Sequence, residues 1–197
     1  MNAGLTLLCA AASTSAFSLI ARTAARRRGL SRCALPPGLC ALTLASAPLC
    51  TATGAGIAGI VACSAAVVAG HVDARTGVIF NPLTVALLVA SFAVRAIQGT
   101  VILGAFGSAE IGGLLLVLQQ TTNGRGLGRG DVKFGFALGA ALGPIPGLIA
   151  LGCAFVAGAA YGLRLLAAGR ADRKTAIRFG PFLALGTFIA VFAEAWA

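Results

Sequence analysis

Charged residues are scarce in this chain. Aspartate and glutamate together number five among 197 residues, and all charged residues make up only 10% of the sequence. Soluble domains carry about 25% charged residues, and the mean hydropathy of +0.95 lies far above their range. The composition therefore excludes a soluble enzyme and indicates a protein with several membrane spans.

The patterns that bind metal ions or form nucleophiles are also missing. The one histidine, His71, has no cysteine or glutamate at ligand spacing, and the six cysteines form no C-x-x-C pair. No serine lies in a recognisable nucleophile turn. We therefore expect no metal ion and no cofactor, and we interpret the cysteines as small core residues.

Basic residues are present, but they are confined to short gaps between apolar runs. The fifteen Lys and Arg give a net charge of +10, and nearly all of them lie in four such gaps. This distribution indicates membrane orientation through the positive-inside rule, and we expect no nucleic-acid partner. The twenty-seven glycines, with many Ala and Ser, allow transmembrane helices to approach closely.

The apolar runs predict the fold class. We expect an all-α, polytopic transmembrane bundle that forms one membrane-embedded domain over residues 1–197. It has about eight spans, and at least six, with the four basic loops cytoplasmic and both termini outside. Arg95 lies inside the fourth run and would have to reach the outer face. The eight runs cover roughly 5–21, 39–51, 57–72, 83–97, 101–120, 132–142, 148–168 and 181–196.

Two aspartates arrive at the same membrane face in this topology. Asp73 closes the third run and Asp131 opens the sixth, with a hairpin of two spans between them. Two carboxylates that are close enough to share a proton have apparent pKa values that are pushed apart. One can then activate a water molecule while the other polarises a peptide carbonyl. The pair predicts a membrane aspartic peptidase with these two residues as its dyad.

A glycine-rich turn directly precedes the second aspartate. Glycines at positions 124, 126, 128 and 130 permit backbone conformations that are closed to other residues. They also leave room for an extended peptide beside the main chain, as in strand addition. A helical substrate hides its peptide bonds in internal hydrogen bonds, so a protease must bind it unwound.

Each acid also has a purely structural interpretation. Asp131 stands just before an apolar run and could be a helix N-cap. Asp73 could be a loop acid that pairs with Arg75. Lys133 is interpreted as an interfacial charge rather than a catalytic group, although it could bias the charge state of Asp131. The joint placement of the two aspartates at one face favours the dyad over these separate interpretations.

Glu110 lies within the fifth run and has two possible positions. It would lie near mid-span if the run began at Val101, or near the outer surface if residues 99–108 formed a loop. We expect the second position, because Gly104 and Gly107 weaken the helix there.

Three stretches, in this order along the chain, resemble the type IV prepilin peptidases, a family of Gly-x-Gly-Asp intramembrane aspartic proteases. Residues 73–81 resemble the first aspartate motif, and residues 128–134 resemble the second. Residues 177–186 resemble the closing Ile-Pro-Phe-Gly-Pro-Phe-Leu-Ala-Leu-Gly segment. Phe80 and Arg178 each stand where the family has a proline, and we expect these differences to affect loop rigidity rather than the acids.

The resemblance covers about residues 54–190, and residues 1–53 would add two N-terminal spans with a basic cytoplasmic loop. It implies cleavage of prepilin or pseudopilin precursors at the cytoplasmic face of the plasma membrane, after a Gly that separates a short basic leader from an apolar helix. The larger, bifunctional members have a Cys-rich cytoplasmic domain, which this sequence does not contain. We therefore expect cleavage without methyl transfer.

The resemblance also assigns roles to residues of this chain. Asp73 and Asp131 would act as general base and general acid, in either order. The substrate-binding or motif residues would be Gly128, Gly130, Lys133, Asn81, Gly180 and Pro181.

Two other functional classes stay open from the sequence. The first is a non-enzymatic membrane transporter or assembly factor, in which an acid pair would serve a proton relay. Relay acids tend to lie mid-membrane, whereas these two lie at one interface beside a glycine turn. The second is a Gly-x-Gly-Asp protease of other membrane substrates, but the closing 179–182 stretch favours the prepilin branch. The sequence carries no information on oligomeric state.

Overall fold

The computed structural model describes most of the chain, and no strand occurs among the residues it describes. The all-α class is therefore confirmed. The predicted outer turn around residues 51–55, residues 30–35 and 37 of the first basic loop, and the end of the eighth run lie outside the described residues. The described residues are 3–29, 36, 38–41, 43–45, 56–124, 126–170, 172, 175 and 177–193.

Seven helices of 14 or more residues are described, and each overlaps one of the predicted apolar runs. Turns that contain glycine or proline separate them, because these residues end a helix or start the next one. A shorter helical stretch, at 38–41 and 43–45, corresponds to the second run. The helices are α1 (Ala3–Arg27), α2 (Gly56–Thr76), α3 (Asn81–Ile97), α4 (Val101–Thr121), α5 (Arg129–Leu142), α6 (Pro144–Ala167) and α7 (Gly180–Ala193).

Four of the described helices are long and apolar enough to cross a membrane, namely α1 from Thr6 onward, α2, α4 and α6. Helices α3 and α7 are shorter apolar helices of 17 and 14 residues. Helix α5 also has 14 residues; at 1.5 Å per residue it is about 21 Å long, less than a hydrocarbon core of ~30 Å. Length and composition thus support four spans, and the count of about eight and the orientation of the termini stay predictions.

Helix α2 is the most enclosed of these helices, because α1, α3 and α7 pack around it. Its buried residues run almost without interruption from Ala58 to Asp73. Small residues make this packing possible: a Cβ at Gly70 would lie 3.1 Å from the carbonyl oxygen of Gly180. The first turn of α7 therefore lies directly against the last third of α2.

Helices α4 and α5 make the most extensive contact among the described helices. Gly107 of α4 and Gly139 of α5 face one another, and a methyl group on either would overlap the backbone of the other. Close approach of this kind through small residues is how transmembrane helices associate. The pair fixes the position of α5, the helix that carries Asp131.

Arg95 does not reach the outer surface as predicted. It is 9% exposed, and its guanidinium donates hydrogen bonds to the carbonyl oxygens of Ala140 at 3.4 Å and Ala141 at 2.7 Å. These carbonyls belong to the last turn of α5, where no intrahelical donor is available to them. This cation therefore lies in a buried site, where another helix supplies its hydrogen-bond acceptors, and not at an aqueous interface.

The predicted position of Glu110 is wrong. Helix α4 begins at Val101, so residues 101–108 are helical and Glu110 lies at the middle of the helix, partly exposed. Gly104 and Gly107 do not break the helix, because both are buried against α5. Because these glycines have no side chain, the two helices can pack closely there.

Candidate active site

Asp73 lies in the last turn of α2, and its side chain is 5% exposed. Its Oδ2 accepts a hydrogen bond of 2.9 Å from the backbone N–H of Gly180 at the start of α7. A Cβ at Gly180 would lie 2.7 Å from the Cβ of Asp73, so only glycine lets α7 begin this close. Asp73 is therefore a helical residue bonded to α7, rather than a loop acid paired with Arg75.

Asp131 lies in the first turn of α5, three residues after the N-cap Gly128. Its Oδ2 accepts a hydrogen bond of 3.1 Å from the N–H of Gly128, as an acid at the third helical position commonly does. Its Oδ1 is buried and accepts no hydrogen bond from the described residues. Asp131 thus caps the helix with one oxygen only, and the other is available for chemistry.

Both aspartates line one pocket of about 270 Å³. The loop between α2 and α3 forms one side of it, and the glycine turn with the start of α5 forms the other. The lining residues are Arg28, Asp73, Gly77, Val78, Ile79, Asn81, Gly128, Arg129, Gly130, Asp131 and Lys133.

The environment of Asp131 changes its protonation. Burial raises the pKa of its carboxyl to about 6, and the negative charge of Asp73 adds to the rise. The hydrogen bond from Gly128 opposes both effects but is weaker. The two carboxylates are thus close enough to interact electrostatically, and Asp131 can hold a proton near neutral pH.

Asn81 and Lys133 meet at the pocket. The Nζ of Lys133 donates a hydrogen bond of 3.1 Å to the Oδ1 of Asn81, and both side chains are exposed. The bond joins the first residue of α3 to the first turn of α5. Lys133 therefore has a specific partner, which an interfacial charge alone would not require.

The predicted glycines have different positions relative to the pocket. Gly130 lines it and packs against the loop, since a Cβ there would lie 3.2 Å from the Cβ of Ile79. Gly180 and Pro181 do not line it. They lie behind Asp73, at the start of α7, where α7 packs against Gly70 of α2.

Sequence reasoning missed two basic residues around the site. Arg28 lines the pocket, with its guanidinium 5.3 Å from the centre of the Phe80 ring. Arg178 donates a hydrogen bond to the carbonyl oxygen of Ala74, and its charge is close enough to act on Asp73. The expectation that the difference at Arg178 does not affect the acids is therefore wrong. The aromatic ring at position 80 was the available signal for a stacked cation.

No cluster of three or more His, Cys, Asp or Glu that could hold a metal ion occurs in the part of the chain that the structure describes. The expected absence of a metal or cofactor stays a prediction.

The chain is similar to proteins of a known family. The sequence profile of the Type IV leader peptidase family matches residues 60–163, which include Asp73 and Asp131. Two curated proteins, each named prepilin leader peptidase/N-methyltransferase, from Burkholderia pseudomallei strains 1026b and K96243, are 32% identical over 148 residues. The alignment covers 71% of this chain and 47% of each relative, so the chain spans about half the length of the curated relatives it matches. No solved structure matches the chain.

Proposed function

The chain belongs to the type IV leader peptidase family, and on this premise we propose that it is an aspartic endopeptidase that removes the short basic leader of prepilin or pseudopilin precursors. The observation that carries the proposal is the pair of carboxylates, Asp73 and Asp131, lining one pocket. The family match supports the substrate class, since the curated relatives are named prepilin leader peptidases.

The two carboxylates divide the work of hydrolysis. The ionised one takes a proton from a water molecule, whose oxygen attacks the carbonyl carbon of the scissile peptide bond. The protonated one donates a hydrogen bond to the carbonyl oxygen, and the leaving nitrogen receives a proton as the C–N bond breaks. We assign the resting proton to Asp131, because its pKa is raised to about 6 and its Oδ1 accepts no hydrogen bond from the described residues.

The walls of the pocket suit an extended substrate. Main chain rather than bulky side chains borders it at Gly77, Gly128 and Gly130. A peptide that is unwound beside such backbone can pair with it through main-chain hydrogen bonds. The glycines of the motif that resembles the family thus leave space for a peptide at the site, in addition to permitting unusual backbone angles.

The topology predicted from the basic loops suits this function. With about eight spans and all four basic loops cytoplasmic, the pocket would open at the cytoplasmic face of the plasma membrane, where a precursor leader lies. We also propose that this chain cleaves without transferring a methyl group, since its cysteines form no C-x-x-C pair. The name prepilin leader peptidase/N-methyltransferase, which includes both activities, is the name of the relatives.

The test is co-expression with a pilin precursor from the same genome. Wild type is compared with Asp131→Asn, and loss of the leader is followed on a gel. Asp172→Asn is the matched control, because Asp172 is an exposed acid that does not line the pocket. We expect processing by wild type and by the control but not by Asp131→Asn.

The opposite result has a definite meaning. If wild type does not process the precursor while both proteins are in the membrane, the peptidase proposal fails. A non-enzymatic transporter or assembly factor, or a protease of other membrane substrates, then becomes the better interpretation.

A further inference from the structure

Arg28 lies outside the segment that matches the family but lines the candidate active site. It directly follows α1, whereas the family match begins at residue 60. Among the described residues before position 60, no other one lines the pocket. Helix α1 was expected to add a span outside the family-like core. The arginine that follows it nevertheless places a cation at the pocket of the two aspartates.

The aromatic ring of Phe80 holds this cation in place. The ring is 0% exposed, so its position is set by the core, and the guanidinium lies 5.3 Å from its centre. An Arg that stacks on a ring uses its planar face and keeps its edge N–H groups for acceptors. The guanidinium of Arg28 makes no hydrogen bond or ion pair with a described residue, so these donors are free to bind a ligand.

The pocket decides which acceptors those donors can meet. Arg28, Arg129 and Lys133 line it beside Asp73 and Asp131, and a guanidinium, which has no acceptor atom, cannot bind the basic side chain of a leader. An extended peptide instead presents main-chain carbonyl oxygens, and those next to the scissile bond lose their helical donors when the substrate unwinds. A planar guanidinium supplies up to five N–H groups to such oxygens.

We propose that Arg28 is a substrate-binding residue that donates hydrogen bonds to main-chain carbonyls beside the scissile bond, and that α1 is therefore part of the peptidase site. This inference rests on the proposed peptidase function. It also gives the residue at position 80 a role, since a proline there would offer the guanidinium no ring.

The experiment measures kcat and KM of the purified full chain on a synthetic precursor peptide in neutral detergent. Arg28→Ala is compared with Arg27→Ala, the neighbouring exposed arginine that does not line the pocket. We expect Arg28→Ala to raise KM about tenfold or more, because charge-assisted hydrogen bonds to the substrate are lost. Arg27→Ala should stay within about twofold of wild type.

Two further variants separate binding from folding. Arg28→Lys keeps the charge but not the planar fork, so it should recover only part of the KM. Phe80→Leu removes the ring while keeping an apolar side chain, and it should raise KM in the same direction. Thermal unfolding of each variant shows whether the bundle is intact, and Arg28→Ala should unfold at the wild-type temperature.

Other outcomes overturn the inference. Equal KM values for Arg28→Ala and Arg27→Ala would show that Arg28 does not bind substrate. A lower unfolding temperature with unchanged KM would make its role structural. An effect seen in anionic lipid nanodiscs but not in neutral detergent would assign the N–H groups to a lipid phosphate. If wild type cleaves nothing, the proposed function fails, and this inference fails with it.

Discussion

Asp73 is held by a residue 107 positions further along the chain, whereas Asp131 is held by a residue three positions before it. The N–H of Gly180, at the start of α7, binds Asp73, so this aspartate is placed correctly only when α7 has packed against α2. The N–H of Gly128 binds Asp131 as soon as the first turn of α5 forms. One half of the dyad thus depends on tertiary packing, and the other on local structure.

The two aspartates also differ in the space around them. Gly180 and Asp73 are so close that a Cβ at position 180 would lie 2.7 Å from the Cβ of Asp73. A Cβ at Gly128 would lie 3.1 Å from the Oδ2 of Asp131, which belongs to a rotatable side chain, and 3.9 Å from the backbone nitrogen of Gly130, an ordinary contact. We therefore infer that the surroundings of Asp73 are rigid and those of Asp131 adjustable, as suits the residue to which we assign the proton.

The largest effect on cleavage is expected when either carboxylate is removed. Asp73→Asn and Asp131→Asn should each lower cleavage by about 10³-fold or more, because each removes one of the two groups that move protons. The double variant should be no slower than the slower single variant, since residues that act as a unit are not additive. Kinetics of leader removal, with membrane insertion of each variant measured in parallel, provide the test.

Substantial activity in one single variant would break this comparison. The residue concerned would then be a structural acid, and the dyad would have to be assigned to other groups.

The next largest effect on kcat is expected from substitution of the two glycines whose N–H groups bind the aspartates. Gly180→Ala should lower kcat by about 10²-fold, because α7 or Asp73 must move and misplacement by about 1 Å has such a cost. Gly128→Ala should change kcat by less than about threefold, since its backbone angles suit alanine and the one tight contact is with a rotatable oxygen. Both kcat values are measured on the same precursor peptide.

Gly113→Ala is the matched control for both, because nothing lies within 4 Å of a Cβ at that position. It should retain wild-type activity. A larger loss from Gly128→Ala than from Gly180→Ala would reverse the assignment of rigid and adjustable halves.

The sequence predicts the half of this site that depends on local structure. Apolar runs ended by glycine and proline predict the helices, and basic loops predict that Asp73 and Asp131 share a face. The glycine turn before Asp131 indicates the start of α5, because the same few residues form the cap. The helices and the start of α5 are local features, and the structure has them near the predicted positions; both aspartates line one pocket, while the membrane face they share stays a prediction.

The rest depends on contacts between distant residues. Arg28 contacts Phe80 across 52 positions of chain, and nothing in the basic loop distinguishes it from its neighbours before the bundle is assembled. Arg95 finds its carbonyl acceptors on α5 because the last turn of that helix lies beside it. Gly104 and Gly107 resemble helix breakers until α5 is seen to pack against them. Such roles are properties of the assembled helices.

A smaller effect concerns stability and pH. The pKa of Asp131 is about 6 in the folded protein, against 3.8 for an ordinary aspartate, so the folded state binds the proton more tightly than the unfolded state. The contribution of this residue to the free energy of unfolding is therefore largest at low pH and decreases as the pH rises from about 4 to about 6. Asp131→Asn should remove this dependence.

The variant should consequently be more stable than wild type at pH 7, by at most about 3 kcal/mol, while it is inactive. Chemical unfolding at pH 4 and pH 7 measures both values, with Asp172→Asn as the control that should follow wild type. A variant less stable than wild type at pH 7 would show that the capping bond to Gly128 outweighs the cost of burying the charge.

The smallest effect is expected from the pair of Lys133 and Asn81. Their bond of 3.1 Å lies at the surface, where such contacts contribute about 0–1 kcal/mol. The packing of Gly130 against Ile79 already joins the same two segments, so Lys133→Met should lower stability by less than about 1 kcal/mol and kcat by about twofold. Asn81→Ala should have an equal effect, and the double variant should add nothing further. A loss of kcat above about tenfold in Lys133→Met alone would instead show that this amine acts directly on the substrate or on Asp131.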